Sequence, residues 1–354
     1  MSKTYKNHYD CTYLANALDA DGEKPCFFIV CSAERGPGKT FSFSKLLYTN
    51  FIKNGEKFIL LTRNMGELGN IASGIFDGYL QCEHPDTTLE EKIQMKGVFS
   101  RIYAVRGTGE NQERVECGYV IPIRAADKIK KISSLFYDAT CFYFDEFQPA
   151  DESTYLKDEV GLLMNIYKSV ARGDGSAVRH MPIYMASNTI QIGNPYFIAL
   201  GLTGKIQKDT KFYRGRGVVF ERCEVEGLKE LHESSAIDTA LANYKQRKGD
   251  NTWINDNNSL VAKPESWGHA RYQCTICWAG CEYGVYVYAN GLRYISRKTQ
   301  KDFPYVYNLE LDGDLNIPLM KTVPLMDDLK KYFYRGLVRV SDSEIQSMLM
   351  TIFS

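Results

Sequence analysis

The sequence predicts an α/β domain built on a parallel sheet, followed by a smaller α+β domain. Short apolar segments alternate with amphipathic ones as far as residue 204, and strands that alternate with helices are typical of a parallel sheet. Beyond residue 252, strand-like segments flank Asn290-Gly291, which is a strong signal for a hairpin turn. We therefore expect one domain over residues 1–204, a basic connection over 205–252 with one or two helices in 221–246, and a second domain over 253–354.

The composition is that of a globular protein whose charges balance. Lys and Arg together number 43, as do Asp and Glu, so the formal net charge is zero at pH 7. A globally basic nucleic-acid-binding protein is thereby excluded, and any contact with DNA must come from local patches. The ten cysteines lack regular spacing, as expected of reduced thiols. With no apolar run long enough to cross a membrane and no signal peptide, the sequence predicts a soluble intracellular protein.

The first predicted strand, residues 26–31, leads into a glycine-rich loop. In the pattern G-x-x-x-x-G-K-[ST], backbone N–H groups surround a phosphate, the lysine reaches the β- and γ-phosphates, and the hydroxyl holds Mg²⁺. Lys39 and Thr40 occupy the last two positions, whereas Ala33 replaces the first glycine. An ordinary Gly/Pro turn is the alternative. The candidate loop residues are Arg35, Gly36, Pro37, Gly38, Lys39 and Thr40.

The remaining elements of the first domain follow from apolar periodicity and from Gly, Asn and Pro breaks. We predict a helix over 40–53, a buried strand over 56–62, mixed helix and loop over 66–95, a hairpin of strands over 98–105 and 115–123, a strand over 137–144, a helix over 154–170 and a strand over 182–187. Residues 1–25 are expected to lie against this domain as a short leader.

The strand over 137–144 ends in a second motif, Asp145-Glu146. An aspartate at the end of a buried strand can hold Mg²⁺, and a glutamate directly after it can act as general base toward water. A kinase has no need of the second carboxylate, because its acceptor is not water. The pair therefore favours nucleotide hydrolysis, and a solvated acidic turn is the alternative.

Three more polar residues end neighbouring elements. Asn188 ends the strand over 182–187, where it is expected to sense the γ-phosphate or to orient the attacking water. Arg63 ends the strand over 56–62 at the same edge of the sheet, where ligands of such sheets bind. Arg172 ends the helix over 154–170. It is either a surface residue that complements the helix dipole or an arginine finger for a neighbour's ATP.

The second domain carries weaker signals. We predict strands over 271–278, 283–289 and 292–296, and helices over 327–334 and 342–353. Cys274, Cys277 and Cys281 resemble metal ligands in spacing, but a tidy fourth ligand is missing and structural thiols are favoured. Two basic groups are candidates for nucleic-acid contact or for solvated surface: Lys205, Lys208, Lys211, Arg214 and Arg216, and Arg293, Arg297, Lys298 and Lys301.

Four segments resemble the DNA encapsidation (packaging) ATPases of φ29-type tailed bacteriophages. They are ERGPGKT at 34–40, FIKNGEKFILLTR at 51–63, FYFDEF at 142–147 and SNTIQIGNPYF at 187–197. The resemblance implies a P-loop ATPase domain of the additional-strand, catalytic-glutamate type. It implies a C-terminal domain like an inactive, vestigial RNase H-like nuclease.

The same resemblance implies ATP and Mg²⁺ as cofactors and assigns roles by position. Lys39 and Thr40 would bind phosphate and Mg²⁺, Asp145 would support the metal, and Glu146 would be the base. Arg35 and Arg63 match positions that contact phosphates. Arg172 matches the family's trans-acting arginine. Arg179 is a rival, because the stretch between the two arginines differs in length from the family pattern.

The implied function is to drive double-stranded DNA into a preformed capsid (prohead) through the portal (connector). The implied assembly is a homo-oligomeric ring, expected to be a pentamer. It would act in the host cytoplasm, transiently at the portal vertex, outside the mature virion and without a membrane. A structural packaging RNA is a further partner in the φ29 type, and the sequence leaves its use here open.

Other functions remain compatible with the motifs. They are another DNA-translocating or helicase-like ATPase, a P-loop small-molecule kinase, and a nucleotide-gated module without turnover. RNase H-type nucleases need a carboxylate in the middle of the first strand to help hold two metal ions. Residues 271–278 contain no carboxylate, so no nuclease activity is expected.

Overall fold

The fold comes from a computed structural model of the 354-residue chain. It describes residues 8–32, 36–107, 112–149, 155–172, 178–188, 194–202, 205–206, 210–226, 260–264, 266–278, 280–310, 316–335 and 337–353. The chain divides into two compact units: residues 1–190 with 208–253, and residues 191–207 with 254–354. This division differs from the expected limits at 204 and 252, because part of the expected connection belongs to the first unit.

The first unit is organised around a nine-stranded sheet with a parallel centre. Its strands are β1 (Phe27–Cys31), β2 (Lys57–Thr62), β3 (Thr87–Gln94), β4 (Phe99–Arg106), β5 (Glu113–Pro122), β6 (Ala139–Asp145), β7 (Ile183–Ser187), β8 (Phe212–Gly215) and β9 (Val218–Arg222). Their order is β3-β4-β5-β2-β6-β7-β1-β9-β8. The strands from β5 to β9 in that order are parallel, and antiparallel strands lie outside them at both edges.

The helices of this unit are α1 (Thr12–Ala15), α2 (Lys39–Asn54), α3 (Ile71–Glu83), α4 (Ala126–Ile129) and α5 (Glu159–Val170). The central strands are nearly continuous apolar runs, as expected of parallel strands that are covered on both faces. Phe43 of α2 packs on Tyr143 and Tyr184, with ring centroids 5.1 and 5.5 Å apart. These contacts fix the start of α2 beside the ends of β6 and β7.

Most predicted strands of this unit are confirmed within a few residues, and two regions are not as expected. Residues 87–94, expected in mixed helix and loop, form β3 and pair with β4. Residues 212–222, expected in the connection, form β8 and β9. Both errors have the same cause: these strands are partly polar, and pairing with a neighbouring strand decides their conformation. Most of the helices expected over 221–246 lies outside the described residues.

The leader and the helix after β6 also show how local chemistry sets the chain path. The backbone N–H of Tyr9 donates to the Pro37 carbonyl (2.7 Å), so the leader lies against the loop before α2, as expected. The helix expected from residue 154 begins at Glu159. Asp158, with a φ of 55°, caps it by accepting a hydrogen bond from the Gly161 N–H.

The second unit is a five-stranded sheet with helices. Its elements are α6 (Pro195–Ala199), β10 (Ala270–Trp278), β11 (Cys281–Tyr288), β12 (Arg293–Ser296), β13 (Val306–Asn308), α7 (Pro324–Tyr334), β14 (Val338–Val340) and α8 (Ser343–Phe353). The order is β13-β10-β11-β12-β14, with β10 to β12 antiparallel and each outer strand parallel to its neighbour. Ile345, Met348 and Leu349 of α8 are fully buried in its core. None of the described helices has the length and apolarity needed to cross a membrane.

Candidate active site

The loop between β1 and α2 ends in a glycine-dependent turn. Gly36 and Gly38 have φ angles of 78° and 92°, a left-handed region that side chains rarely adopt. Gly38 is the N-cap of α2, and its missing side chain leaves the first N–H groups of a 16-residue helix free of a capping oxygen. A helix N-terminus of this kind binds anions. Ala33 and Arg35 lie outside the described residues, so their expected roles stay predictions.

The structure brings five of the expected site residues together at this helix start. The Thr40 Oγ1 donates to Asp145 Oδ2 at 2.9 Å. The Lys39 Nζ donates to Asn188 Oδ1 at 2.7 Å. The Asn188 Nδ2 lies 3.5 Å from Glu146 Oε1. The convergence follows from strand order, because β7 separates β1 from β6 and the carboxyl ends of all three meet at one edge.

Burial disfavours the charged forms of two side chains in this site. Lys39 is only 4% exposed, and burial lowers its pKa below the ordinary value of 10.5 despite nearby thiols and carboxylates. Burial also raises the pKa of Asp145 above 3.8, although the hydrogen bond from Thr40 opposes it. Each charged form is thus penalised by loss of water. An anion beside Lys39 and a divalent cation beside Asp145 would relieve both penalties.

Glu146 is held in an unusual backbone conformation beside this site. Its φ of 49° lies in the left-handed region, which is uncommon for a residue with a side chain. The Arg63 guanidinium donates through Nη1 to the Glu146 carbonyl (3.1 Å) and through Nη2 to the Phe147 carbonyl. Its Nε donates to Glu159 Oε2 (3.0 Å). Arg63 therefore fixes the turn from which the Glu146 side chain projects.

The guanidinium of Arg63 is bound by groups within the protein, and its expected contact with phosphates stays a prediction. Arg63 is 7% exposed and stacks at 4.9 Å on Phe144 and at 5.2 Å on Tyr155. Glu159, which is 1% exposed, receives both the Arg63 Nε and the Leu156 N–H. A buried carboxylate requires such a cation, and this attraction holds the guanidinium beside Glu159.

The two candidate arginines after α5 differ in the hydrogen bonding of their side chains. Arg172 is exposed and pairs through its backbone with Val178. The Arg179 guanidinium donates to the Phe136 and Val170 carbonyls, both at 3.3 Å. Phe136 precedes β6, and Arg179 leads into β7, so this group lies at the amino-terminal edge of the sheet. Helix α5 has 12 residues and is about 18 Å long, and Arg172 follows its end at this edge.

Most described side chains of the two expected basic groups form ion pairs or hydrogen bonds within the protein. In the first group, Lys211 pairs with Glu224 (2.8 Å), Arg216 pairs with Asp21 (2.7 Å), and Arg214 donates to the Leu18 carbonyl. Lys205 is exposed and Lys208 lies outside the described residues.

In the second group, Arg293 is 7% exposed, pairs with Asp328 and stacks at 3.9 Å on Tyr332 of α7. Arg297 pairs with Asp342 and Glu344. Among the described residues, only Lys298 and Lys301 of this group are exposed cations without an ion-pair partner, so the group is not one continuous basic patch.

The cysteines of the second unit are placed as structural thiols. Cys274 is fully buried, and burial raises its pKa to about 12. Cys277 and Cys281 are half-buried on the facing strands β10 and β11. Within the described residues, no three His, Cys, Asp or Glu side chains group closely enough to hold a metal ion.

Sequence reasoning missed Glu159 and the buried pair formed by Tyr9 and Glu221. The Tyr9 hydroxyl donates to Glu221 Oε2 at 3.0 Å and ties the leader to the end of β9. Glu159 meets Arg63 across 96 positions of sequence. An acidic residue in the first turn of a helix is so common that it does not reveal such a partner.

Comparisons with known proteins identify the family of the chain. The family model of the podovirus DNA encapsidation protein (Gp16) matches residues 23–354. The DNA packaging protein of Bacillus phage phi29 is 26% identical over 339 residues, which covers 90% of this chain and 91% of that protein. The DNA packaging protein of Bacillus phage B103 is 26% identical over 306 residues, which covers 85% of each.

Two solved structures share the fold over almost the whole chain. The bacteriophage Phi-29 viral genome packaging motor assembly gives a TM-score of 0.66 at 23% identity, covering 98% of this chain and 99% of that one. The Phi-28 gp11 DNA packaging motor gives a TM-score of 0.62 at 15% identity, covering 98% of each. At these identities the likeness concerns the fold. The match to the family model shows more: the chain belongs to the podovirus DNA encapsidation protein family and is a protein of viral DNA packaging.

Proposed function

We propose that this chain hydrolyses ATP with Mg²⁺ in a ring of identical copies and uses the energy to move double-stranded DNA through a portal into a preformed capsid. The observation that carries the proposal is the convergence of Lys39, Thr40, Asp145, Glu146 and Asn188 on one helix start. Membership of a DNA encapsidation family supports DNA as the molecule that is moved. The phi29 relative is named a DNA packaging protein, which supports packaging as the process.

The residues present fit MgATP. The N-terminus of α2 and the buried Lys39 would receive the phosphates. The Thr40 hydroxyl and the Asp145 carboxylate are hard oxygen donors, the type that Mg²⁺ prefers. When bound, Mg²⁺ would neutralise charge that develops on the phosphates.

The carboxylate of Glu146 would take a proton from the attacking water. The oxygen of that water forms a bond to the γ-phosphorus, and the bond to the β–γ bridging oxygen breaks to give ADP and phosphate. Asn188 reaches both Lys39 and Glu146. It would hold the base near the γ-phosphate and orient the water.

Arg172 is proposed as the arginine that acts on the ATP of a neighbouring copy. Three features support it: it is exposed, it lies at the opposite edge of the sheet from its own loop, and it matches the family position. Arg179 is the weaker candidate, because its guanidinium already serves the Phe136 and Val170 carbonyls. An arginine in trans makes hydrolysis depend on assembly.

The finer features implied by the family are also proposals. They are a pentameric ring, transient residence at the portal vertex of the prohead in the host cytoplasm, absence from the mature virion, and the use of a structural packaging RNA. The second unit is proposed to be a vestigial RNase H-like domain. We propose no nuclease activity, because β10 (ARYQCTICW) lacks a carboxylate. Metal-dependent cleavage of plasmid DNA by the purified chain would refute this.

The function is tested by ATP turnover with and without double-stranded DNA. The wild type is expected to turn over faster with duplex DNA, and Lys39→Ala is expected to lose both ATP binding and turnover. Lys45→Ala, on the same helix, is the matched control and should behave as wild type. Phosphate transfer to a small acceptor instead of water, or turnover that ignores DNA, would contradict the proposal.

The role of Arg172 is tested by mixing inactive subunits. Arg172→Ala subunits retain Glu146, and Glu146→Gln subunits retain Arg172, so mixed rings contain some interfaces with both groups intact. We expect each variant alone to be inactive and the mixtures to recover part of the turnover. If intact mixed rings show no recovery at any ratio, Arg172 does not act in trans. Arg179→Ala subunits are mixed with Glu146→Gln subunits in the same way. Recovery of turnover in these mixtures, and not in those with Arg172→Ala, would identify Arg179 as the trans-acting arginine.

A further inference from the structure

The second unit contains a cleft that takes no part in the proposed reaction. Its volume is about 620 Å³, within the usual range of ligand pockets. It lies between the segment before β10 and the ends of β12 and β14. Aromatic and cationic side chains line it together, namely Lys263, Trp267, Tyr294, Arg297 and Lys298.

The aromatic wall of this cleft has a fixed orientation and an open surface. The Trp267 ring meets Tyr286 at 4.8 Å and 71°, and Tyr294 at 5.9 Å and 87°. These edge contacts hold the plane of the indole, yet 37% of the residue remains exposed. A rigid, partly open aromatic side chain is the usual stacking partner for an unpaired base.

Lys298 is placed over this wall by its own backbone. Its Nζ lies 4.5 Å from the centre of the Trp267 ring. Its carbonyl accepts a hydrogen bond from the Tyr286 hydroxyl at 2.9 Å. A side chain at Gly284 would put its Cβ only 2.2 Å from that carbonyl, so the glycine permits the close approach. These contacts fix the backbone at Lys298, from which the ammonium reaches the indole.

The charges of the cleft are partly compensated. Arg297 is paired with Asp342 and Glu344. Lys263 and Lys298 are exposed, and neither forms an ion pair with a carboxylate in the part of the chain that the structure describes. Two uncompensated cations beside one aromatic wall would match one or two phosphates with a base between them.

We propose that this cleft binds an unpaired nucleotide of a single-stranded nucleic acid. The base stacks on Trp267 and displaces the Lys298 ammonium from the ring, and Lys263 and the displaced Lys298 bind the phosphate. A duplex is a poorer fit, because its bases are stacked on each other and do not offer their faces to a side chain. An acidic peptide would use the lysines but would leave the indole unused. RNA and DNA present the same unpaired base and phosphate, so the experiment must separate them.

The test measures binding to the full chain by fluorescence anisotropy at one salt concentration. The probes are a labelled single-stranded RNA and a single-stranded DNA of the same sequence, with an excess of unlabelled duplex DNA to occupy duplex-binding surfaces. Trp267→Leu and Lys298→Gln are each expected to weaken binding of the single strand about fivefold or more. Tyr305→Leu and Lys330→Gln remove an exposed aromatic ring and an exposed cation elsewhere in the same unit, and should bind as wild type.

Several outcomes would overturn the proposal. Wild-type affinity in both cleft variants would do so, as would duplex or an acidic peptide displacing the labelled strand at equal concentration. Thermal unfolding checks that the variants are folded. Trp267 packs on two tyrosines, so Trp267→Leu could unfold the unit. In that case the binding affinity of Lys298→Gln, a change at an exposed residue, tests the proposal. ATP turnover should be equal in all these variants, so the outcome is independent of the nucleotide site.

Discussion

At the scale of single residues, Arg63 shows how a buried side chain can hold the turn that carries a predicted catalytic residue. A left-handed conformation at a residue with a side chain costs on the order of 1–3 kcal/mol and persists only where surrounding contacts fix it. Glu146 is such a residue, and Arg63 binds both its carbonyl and that of Phe147. The sequence correctly placed Arg63 at a strand end. The direction of its guanidinium depends on Glu159, which no local pattern identifies.

Replacing Arg63 by alanine should damage stability and hydrolysis more than nucleotide binding. Glu159 would remain buried without its cation, which costs about 3–5 kcal/mol in the free energy of unfolding. The turn at Glu146 would lose its support, so the rate of bound-ATP hydrolysis should fall while ATP affinity changes much less. Urea unfolding, ATP binding and single-turnover hydrolysis measure these three quantities.

Arg216→Ala is the control for this substitution. Its ion pair with Asp21 is exposed to solvent, so its removal should leave the free energy of unfolding close to that of wild type. If Arg63→Ala instead weakened ATP binding as strongly as hydrolysis, Arg63 would be a phosphate ligand, as the family resemblance first implied.

At the scale of elements, the packing of β5 against β2 depends on a glycine. A Cβ at Gly118 would lie 2.5 Å from the Phe58 carbonyl oxygen and 3.0 Å from its ring. We expect Gly118→Ala to destabilise the protein by about 1–3 kcal/mol, because the strands would have to move apart. Gly74→Ala is the matched control. Nothing lies within 4 Å of a Cβ there, and alanine favours a helix by about 1 kcal/mol, so α3 should gain stability. Urea unfolding of both variants is decisive, and equal effects would contradict the account.

An ion network ties three strands together at the sheet edge opposite the loop. Lys57 of β2 bonds Glu116 of β5 and Asp138 before β6, both at 2.7 Å, and Arg101 also pairs with Glu116. Burial alone would raise the pKa of Glu116. The hydrogen bonds from Lys57, Arg101 and Tyr119 outweigh that effect and lower it below 4.5.

The lowered pKa predicts a pH-dependent stability. A carboxyl whose pKa is depressed by folding stabilises the fold above its unfolded pKa and loses this contribution as the pH falls through the folded value. Glu116→Gln should therefore reduce the free energy of unfolding by about 1–3 kcal/mol at pH 7, and the difference from wild type should shrink below pH 4.5. Glu90→Gln, which removes half of a more exposed pair with Arg114, should show little change at either pH. A constant difference between wild type and Glu116→Gln across this range would contradict the assignment.

Elements were predictable where their own residues decide their structure. The apolar runs of β1, β2, β6 and β7, and the turn at Asn290-Gly291, carry the signal within a few residues. The edge strand β3 alternates charged and apolar residues irregularly, and β8 is short and half-exposed. Their conformation comes from pairing with β4 and β9, so tertiary context decides it.

At the scale of the whole molecule, two units with separate cores make up the family fold. The order of the strands, which a sequence does not state, brings Lys39, Asp145 and Asn188 to one edge although they are far apart in the chain. Their residue types and strand-end positions were predictable. Which of them touch was not, because the pairings Thr40–Asp145 and Lys39–Asn188 depend on β7 lying between β1 and β6.

The central claim is that Glu146 activates the water that hydrolyses ATP at this site. Single-turnover hydrolysis of bound ATP in Glu146→Gln tests it most directly, with the exposed Glu83→Gln as control. We expect Glu146→Gln to bind ATP as wild type and to hydrolyse it at least about a hundredfold more slowly, the usual loss when a general base is removed. Glu83→Gln should match wild type in both. Hydrolysis at the wild-type rate in Glu146→Gln would contradict the account.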